Sequence, residues 1–362
     1  MLQIVNDNLH IFESLKYYPI TIQFVWGLSC VFFIFIVLLT IYLKYLRSHL
    51  RFNEKKEAQY QEIYESCLVT YLYAGNDDEV FSSEQQFIIN ELKKDVANPF
   101  KRKIIVSTLL KLRSEISGEI GESIDKLFIK LGLLRYSLVK LRNKKWDVIA
   151  TGIRELTQFK IKAVHKMVLN NINHPKKEVR KEMQLYLVHL YAFEGLEFLN
   201  VLETPLSEWD QIQLLEILQL NNDTHVADIK PWLNSSNDSI VIFASKLAKV
   251  YNQLEAKEEL ITLLNHKSED VRINVISALS HLHVFEAKTI LKNNFTECSD
   301  EEQIAFLKMM ENVYEASDKP FLLEHIHHRN SEIRLSIMDI LKNINFEEYT
   351  LHDADIKKML TA

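Results

Sequence analysis

The chain has 362 residues, a formal net charge of −6, 7 glycines, 6 prolines and no glycine beyond Gly195. Turns, bulges and phosphate loops draw on glycine and proline, so this composition excludes a β-sandwich, a barrel or a Rossmann-type nucleotide domain as a reading. Cys30, Cys67 and Cys298 lie far apart without a CxxC pair, and read as small apolar residues in a reducing compartment.

Residues 1–19 read as a short tail ahead of an apolar segment. Positions 20–43 carry no charge at all. A helix of that length spans about 36 Å, enough for a hydrocarbon core of about 30 Å. Tyr17 and Tyr18 flank one end and Tyr42 and Tyr45 the other, where amphipathic rings meet the two lipid–water interfaces. A cleaved signal peptide would have a shorter apolar region and a small-residue cleavage site. Only Lys16 precedes the span, whereas Lys44, Arg47, Arg51, Lys55 and Lys56 follow it. Positive flanks stay inside. The expected topology is therefore single-pass, with the N-terminus outside and the bulk of the chain cytoplasmic.

Residues 44–73 read as a helix leaving the membrane, and 74–83 as the boundary behind it. The stretch 84–145 reads as helical, with apolar periodicity over 99–116 and 120–142. It leaves open whether these are degenerate repeats.

From residue 146 to 345 a repeat emerges. Val179, Ile240, Val271 and Ile333 are each followed at +4, +7, +8 and +11 by apolar or small residues, one stripe of an α-helix. Two helices beginning near Gln211 and Gln303 fall between them, which sets a period of about 31. Shorter apolar segments at 196–202, 258–264, 287–291 and 320–326 precede these helices, so each unit reads as a helical hairpin. Asn237, Ser268 and Asn330 stand where N-caps belong. The expected fold is all-α, an α-solenoid of helical hairpins behind a single transmembrane helix, with 346–362 as a C-terminal tail.

Three of the helices open with an acid, an aliphatic residue and an arginine: Glu178-Val179-Arg180, Asp270-Val271-Arg272 and Glu332-Ile333-Arg334. At this spacing the motif resembles HEAT repeats, and the period is similar to that of the short bacterial HEAT-like class. The units at Gln211 and Gln303 lack the motif, and Ile240 is followed by Val241. The resemblance implies a scaffold or adaptor. Its membrane-anchored bacterial form would sit in the inner membrane as an accessory to envelope or polysaccharide-making machinery. It also implies an alternative, a HEAT-like enzyme or chaperone acting on a cofactor-bearing protein in the manner of bilin lyases.

Charge is divided along the chain: residues 44–181 carry a net +10 and residues 182–362 a net −15. The basic part adjoins the span, where an anionic leaflet attracts it. A membrane tether and an acidic half disfavour nucleic acid as partner.

No GxGxxG, Walker loop, HExxH, GxSxG or paired CxxC is present. His281, His283, His325, His327 and His328 lack metal-ligand spacing and read as polar turn residues. Trp146, Trp209 and Trp232 read as core aromatics. The expectation is therefore a non-enzyme without metal or cofactor that binds a protein. Arg180, Arg272 and Arg334 are expected to meet turn carbonyls or carboxylates. Binding is expected on the second helices, through Lys181, Gln184, Gln213, Glu216, Asn274, Ser277 and Lys308.

Overall fold

The first helix, α1 (Ile20–Tyr73), runs for 54 residues without interruption. The computed structural model describes residues 19–74, 82–116, 118–220 and 228–344, and no strand occurs among them. Most of the 74–83 boundary and all of the 346–362 tail lie outside those residues. By its contacts the chain falls into two units that meet in sequence at Leu133 and Leu134.

In the first unit, α1 is one helix with two unlike halves. Its apolar part is long and apolar enough to cross a membrane, and none of that window is buried against protein. Its last turns bury Tyr64, Leu68 and Tyr71 against α2 (Ser83–Val96), α3 (Pro99–Glu115) and α4 (Gly118–Lys130). The phenol of Tyr64 donates to Asp95 at 2.9 Å, and the Gln85 amide donates to the Tyr71 carbonyl at 3.0 Å. Ser82 and Gln85 close a reciprocal capping box at the start of α2, and Asn98 caps α3 ahead of Pro99. The expected 120–142 helix is two helices. Gly132, at φ +72°, takes the left-handed conformation that ends α4.

The second unit is a row of hairpins. Its long helices are α6 (Trp146–Gln158), α8 (Lys177–Tyr191), α9 (Glu208–Leu220), α11 (Asp238–Val250), α13 (Glu269–His281), α15 (Asp300–Val313) and α17 (Ser331–Ile344). Their starts step by 31, 31, 30, 31, 31 and 31 residues. Short first helices precede them: α5 (Leu134–Leu141), α7 (His165–Leu169), a 3-10 turn over Glu194–Val201, α10 (Lys230–Leu233), α12 (Lys257–Thr262), α14 (Phe285–Asn293) and α16 (Lys319–Glu324). The hairpin that opens the row therefore begins at Leu134, upstream of Trp146. Gly195, second in the 3-10 turn, lies hard against the Leu187 carbonyl, where a Cβ has no room.

Counted from each helix start, positions +6, +9 and +10 are buried throughout, as in Leu214, Ile217, Leu218 and Val275, Ala278, Leu279. This register moves two expected anchors. The residues of α9 and α15 equivalent to Val179 and Val271 are Asp210 and Glu302, one place before Gln211 and Gln303. Both carboxylates are buried. A search for apolar anchors passes over them and lands one residue late.

Candidate protein-binding face

Polar bonds repeated at the period hold the row in register. Arg180 donates through Nη1 to the carbonyls of His174 (2.7 Å) and Pro175 (3.3 Å). Arg272 does the same to His266 (2.5 Å) and Lys267 (3.2 Å), and Arg334 to His328 (2.7 Å) and Arg329 (3.0 Å). In all three turns the histidine closes the loop from its other side. Nδ1 of His174, His266 and His328 accepts the N–H two residues on, from Lys176, Ser268 and Asn330, each at 3.1 Å. Asn143 and Ser235 hold the same place in two more turns. Each histidine lies six residues before an arginine, a threefold spacing present in the sequence that the motif search missed.

The two units with glutamine in place of the arginine use other chemistry. Gln211 donates to the Leu206 carbonyl (3.1 Å), and Gln303 to those of Phe295 (2.7 Å) and Cys298 (3.2 Å). Ser299 and Glu302 form a capping box. Glu302 also accepts from Arg272 of the preceding hairpin, at 3.1 Å for one of its two bonds. Burial pushes the Glu302 carboxyl up, but Arg272 and the Ser299 N–H outweigh it and hold it below the usual range. Asp210 meets Ser207 and lies 3.5 Å from Lys177. A buried cluster ties the last two hairpins: Lys288 reaches Glu315 (2.7 Å) and Asp318 (3.0 Å), and Lys292 also pairs with Asp318. Burial opposes ionisation of Asp318 too, and the two lysines with the Glu315 N–H overcome it.

Asn237 and Asn330 cap their helices through Oδ1, whereas Ser268 stands at the N-cap without a side-chain bond. His328 is a turn residue, but His325 packs its ring between Phe295 and Phe321, each 4.7 Å away. Trp232 is buried and donates to Asn200 at 2.9 Å. Trp146 and Trp209 are exposed at 42 % and 61 %, against the expectation of core aromatics. Among the described residues no three His, Cys, Asp or Glu side chains stand together as a metal site would need.

Val179, Ile240, Val271 and Ile333 are all buried to within 1 %. The expected binding residues divide. Glu216 and Lys308 are exposed, and Lys181, Gln213, Asn274 and Ser277 are half-buried. Gln184 is a correction: it is only 5 % exposed. It stands at +7, which Ile276, Leu307 and Met338 fill in other units. That core position lies outside the four offsets used to define the stripe.

The open face of the second helices presents +1, +4, +8 and +11/+12. A groove of about 680 Å³ runs over α13 and α15 there, with Ile273, Ser277, Ile304 and Lys308 on its walls. Position +4 reads Ile212, Ile242, Ile273, Ile304 and Leu335 in five successive units. Ile212 and Leu335 are 47 % and 55 % exposed, and the three between are half-buried. At the N-terminal edge, Asp270, Glu301 and Glu332 occupy +1, exposed and without an ion-pair partner among the described residues. The sequence motif includes Asp270 and Glu332 but none of the aliphatic row residues. Their signal is an aliphatic residue recurring at the period on the side away from the core stripe.

A Kap121p mutant matches the chain with a TM-score of 0.52 at 12 % identity, over 76 % of this chain and 37 % of that one. The fold is that of a HEAT-type helical solenoid. Kap95p, solved with RanGDP, matches with a TM-score of 0.40 at 13 % identity, over 79 % of this chain and 46 % of that one. A designed armadillo repeat protein matches with 0.32 at 15 %, over 59 % and 100 %. The chain thus spans less than half of either Kap chain. No family model matches it, and no curated protein does.

Proposed function

We propose that this HEAT-type chain is a membrane-anchored scaffold that docks another protein on the open face of its second helices and acts by binding rather than catalysis. The observation that carries the reading is the aliphatic row at +4, left exposed or half-buried across five successive hairpins. Large exposed apolar surface on a folded protein marks an interaction site. The uncharged span of α1 supports anchoring, and the five cations that follow it support a cytoplasmic array in a bacterial inner membrane. Those cations also favour anionic lipid headgroups beside the span. An accessory role in envelope or polysaccharide synthesis is the narrower form of this proposal, drawn from the resemblance to anchored HEAT-like proteins.

The test is photocrosslinking in intact membranes. A crosslinker at Ser277 or Lys308 is expected to trap one discrete protein, and a crosslinker at exposed Glu258 on the first-helix side is not. Trapping from Glu258 alone, or from none of the three, overturns the reading.

A further inference from the structure

The open face has a definite chemistry, and from it we infer that the docked partner is a segment rich in lysine or arginine with regularly spaced aliphatic residues. This inference rests on the proposed docking face and adds the kind of partner it takes.

Two rows define the surface. The seam is Ile242, Ile273, Ile304 and Leu335 at +4. Along one side lie the unpaired carboxylates of Asp270, Glu301 and Glu332. Where the seam passes Ile242, a second groove of about 860 Å³ adds exposed Glu203 to the same acidic side, next to Asp270, together with Asp238, which lies 3.9 Å from Lys267. Acids in a first helical turn are favoured by the helix dipole, so by themselves they mean little. The dipole does not explain aliphatic side chains left exposed or half-exposed at +4 on five successive helices. A partner that only filled the seam would bury those carboxylates' surroundings without compensation, and one bringing acids along the +1 edge would meet like charge, the lysines of this groove, Lys249 and Lys308, lying beyond the seam at +11 and +8. Lysine or arginine beside the aliphatic anchors satisfies both rows. The wider field has the same sign, since residues 182–362 carry a net −15.

The spacing sets the partner's repeat. Packed helices stand about 8–10 Å apart. Three residues of a polyproline-type extended chain advance about 9.3 Å, and seven of an α-helix about 10.5 Å. Either places one aliphatic side chain over each seam residue in turn.

The full-length protein in neutral detergent is titrated with a labelled peptide carrying leucine at every third position and lysine or arginine between, with empty micelles as blank. A second peptide replaces the cations by glutamate. We expect saturable binding of the cationic peptide at least tenfold tighter than of the anionic one. Joint substitution Asp270→Lys, Glu301→Lys and Glu332→Lys should abolish that preference, and Ile273→Gln with Ile304→Gln should weaken binding at least tenfold. All five positions lie at the surface or half-buried, so melting temperatures of both variants serve as the folding check. Binding of neither peptide, equal binding of both, or indifference to both sets of substitutions overturns the inference. A change in oligomeric state alone, without effect on peptide binding, assigns the face to a second copy and overturns it too. If Ser277 and Lys308 still trap a protein in membranes, the docking face stands and only the partner's chemistry is wrong.

Discussion

Two histidines show how differently one residue type is used here. His328 and its equivalents hold a turn by accepting a backbone N–H, and a sequence can show this only as a repeated spacing to arginine. His283 closes helix α13 at φ +53°, with the Val284 N–H bonded to the Leu279 carbonyl at 3.1 Å. Lys160 and Asn252 take the same left-handed position after α6 and α11. A non-glycine residue there costs about 1–2 kcal/mol, and glycine would return about 0.4–1 kcal/mol of that through the freedom of the unfolded chain. His283→Gly is therefore expected to stabilise the protein by about 0.5–1 kcal/mol in denaturant titration, and no gain would refute the account of this turn. Glu302 gives a prediction with pH. Its carboxyl is held below its ordinary value in the folded state, so the unfolded chain binds the proton more tightly. The resulting stability is present above the unfolded pKa of about 4.3 and is lost as pH falls through the lower folded value. Glu302→Gln should flatten the fall of melting temperature over that acid window relative to the parent, and an unchanged slope would count against the Arg272–Glu302 pairing.

Helices with an apolar anchor could be read from the sequence, because Val179, Ile240, Val271 and Ile333 sit in a stripe the 3.6-residue period exposes. Helices α9 and α15 were found by period but placed a residue late. At their second position Asp210 and Glu302 are buried with hydrogen-bond and ionic partners, and hydropathy has no signal for a satisfied carboxylate. The first helices were harder still. They last four to nine residues or are 3-10 turns, too short for a helical period to register. Gln184 was misplaced because neighbours on both sides widen the buried stripe of α8 beyond the four offsets that define it. Anchor burial is checked by Val271→Asp. Val271 is fully enclosed, so burying a carboxylate there is expected to cost about 3 kcal/mol or more. Denaturation within about 0.5 kcal/mol of the parent would mean that α13 is not packed as described.

The row of hairpins and the long first helix differ in how they are held. Inter-hairpin bonds such as Lys249 to Ser277 at 3.0 Å and Asn312 to Ser280 at 3.0 Å link residues about one period apart, so each unit stabilises mainly its neighbours. Helix α1 instead passes from an uncharged segment into the core of the first unit without a break, so that unit is fixed directly to whatever holds the span. What binds the open face was not readable from the sequence, because its rows are defined only once the helices are laid side by side. The account turns on a single helix tying a cytoplasmic array to a membrane, and a reporter fused after Ala362 measures this directly. Five cations after the span against one before it predict that a fluorescent protein there matures and sediments with membranes, while alkaline phosphatase at the same place stays inactive. An active phosphatase fusion, or a fluorescent fusion recovered in the soluble fraction, would contradict it.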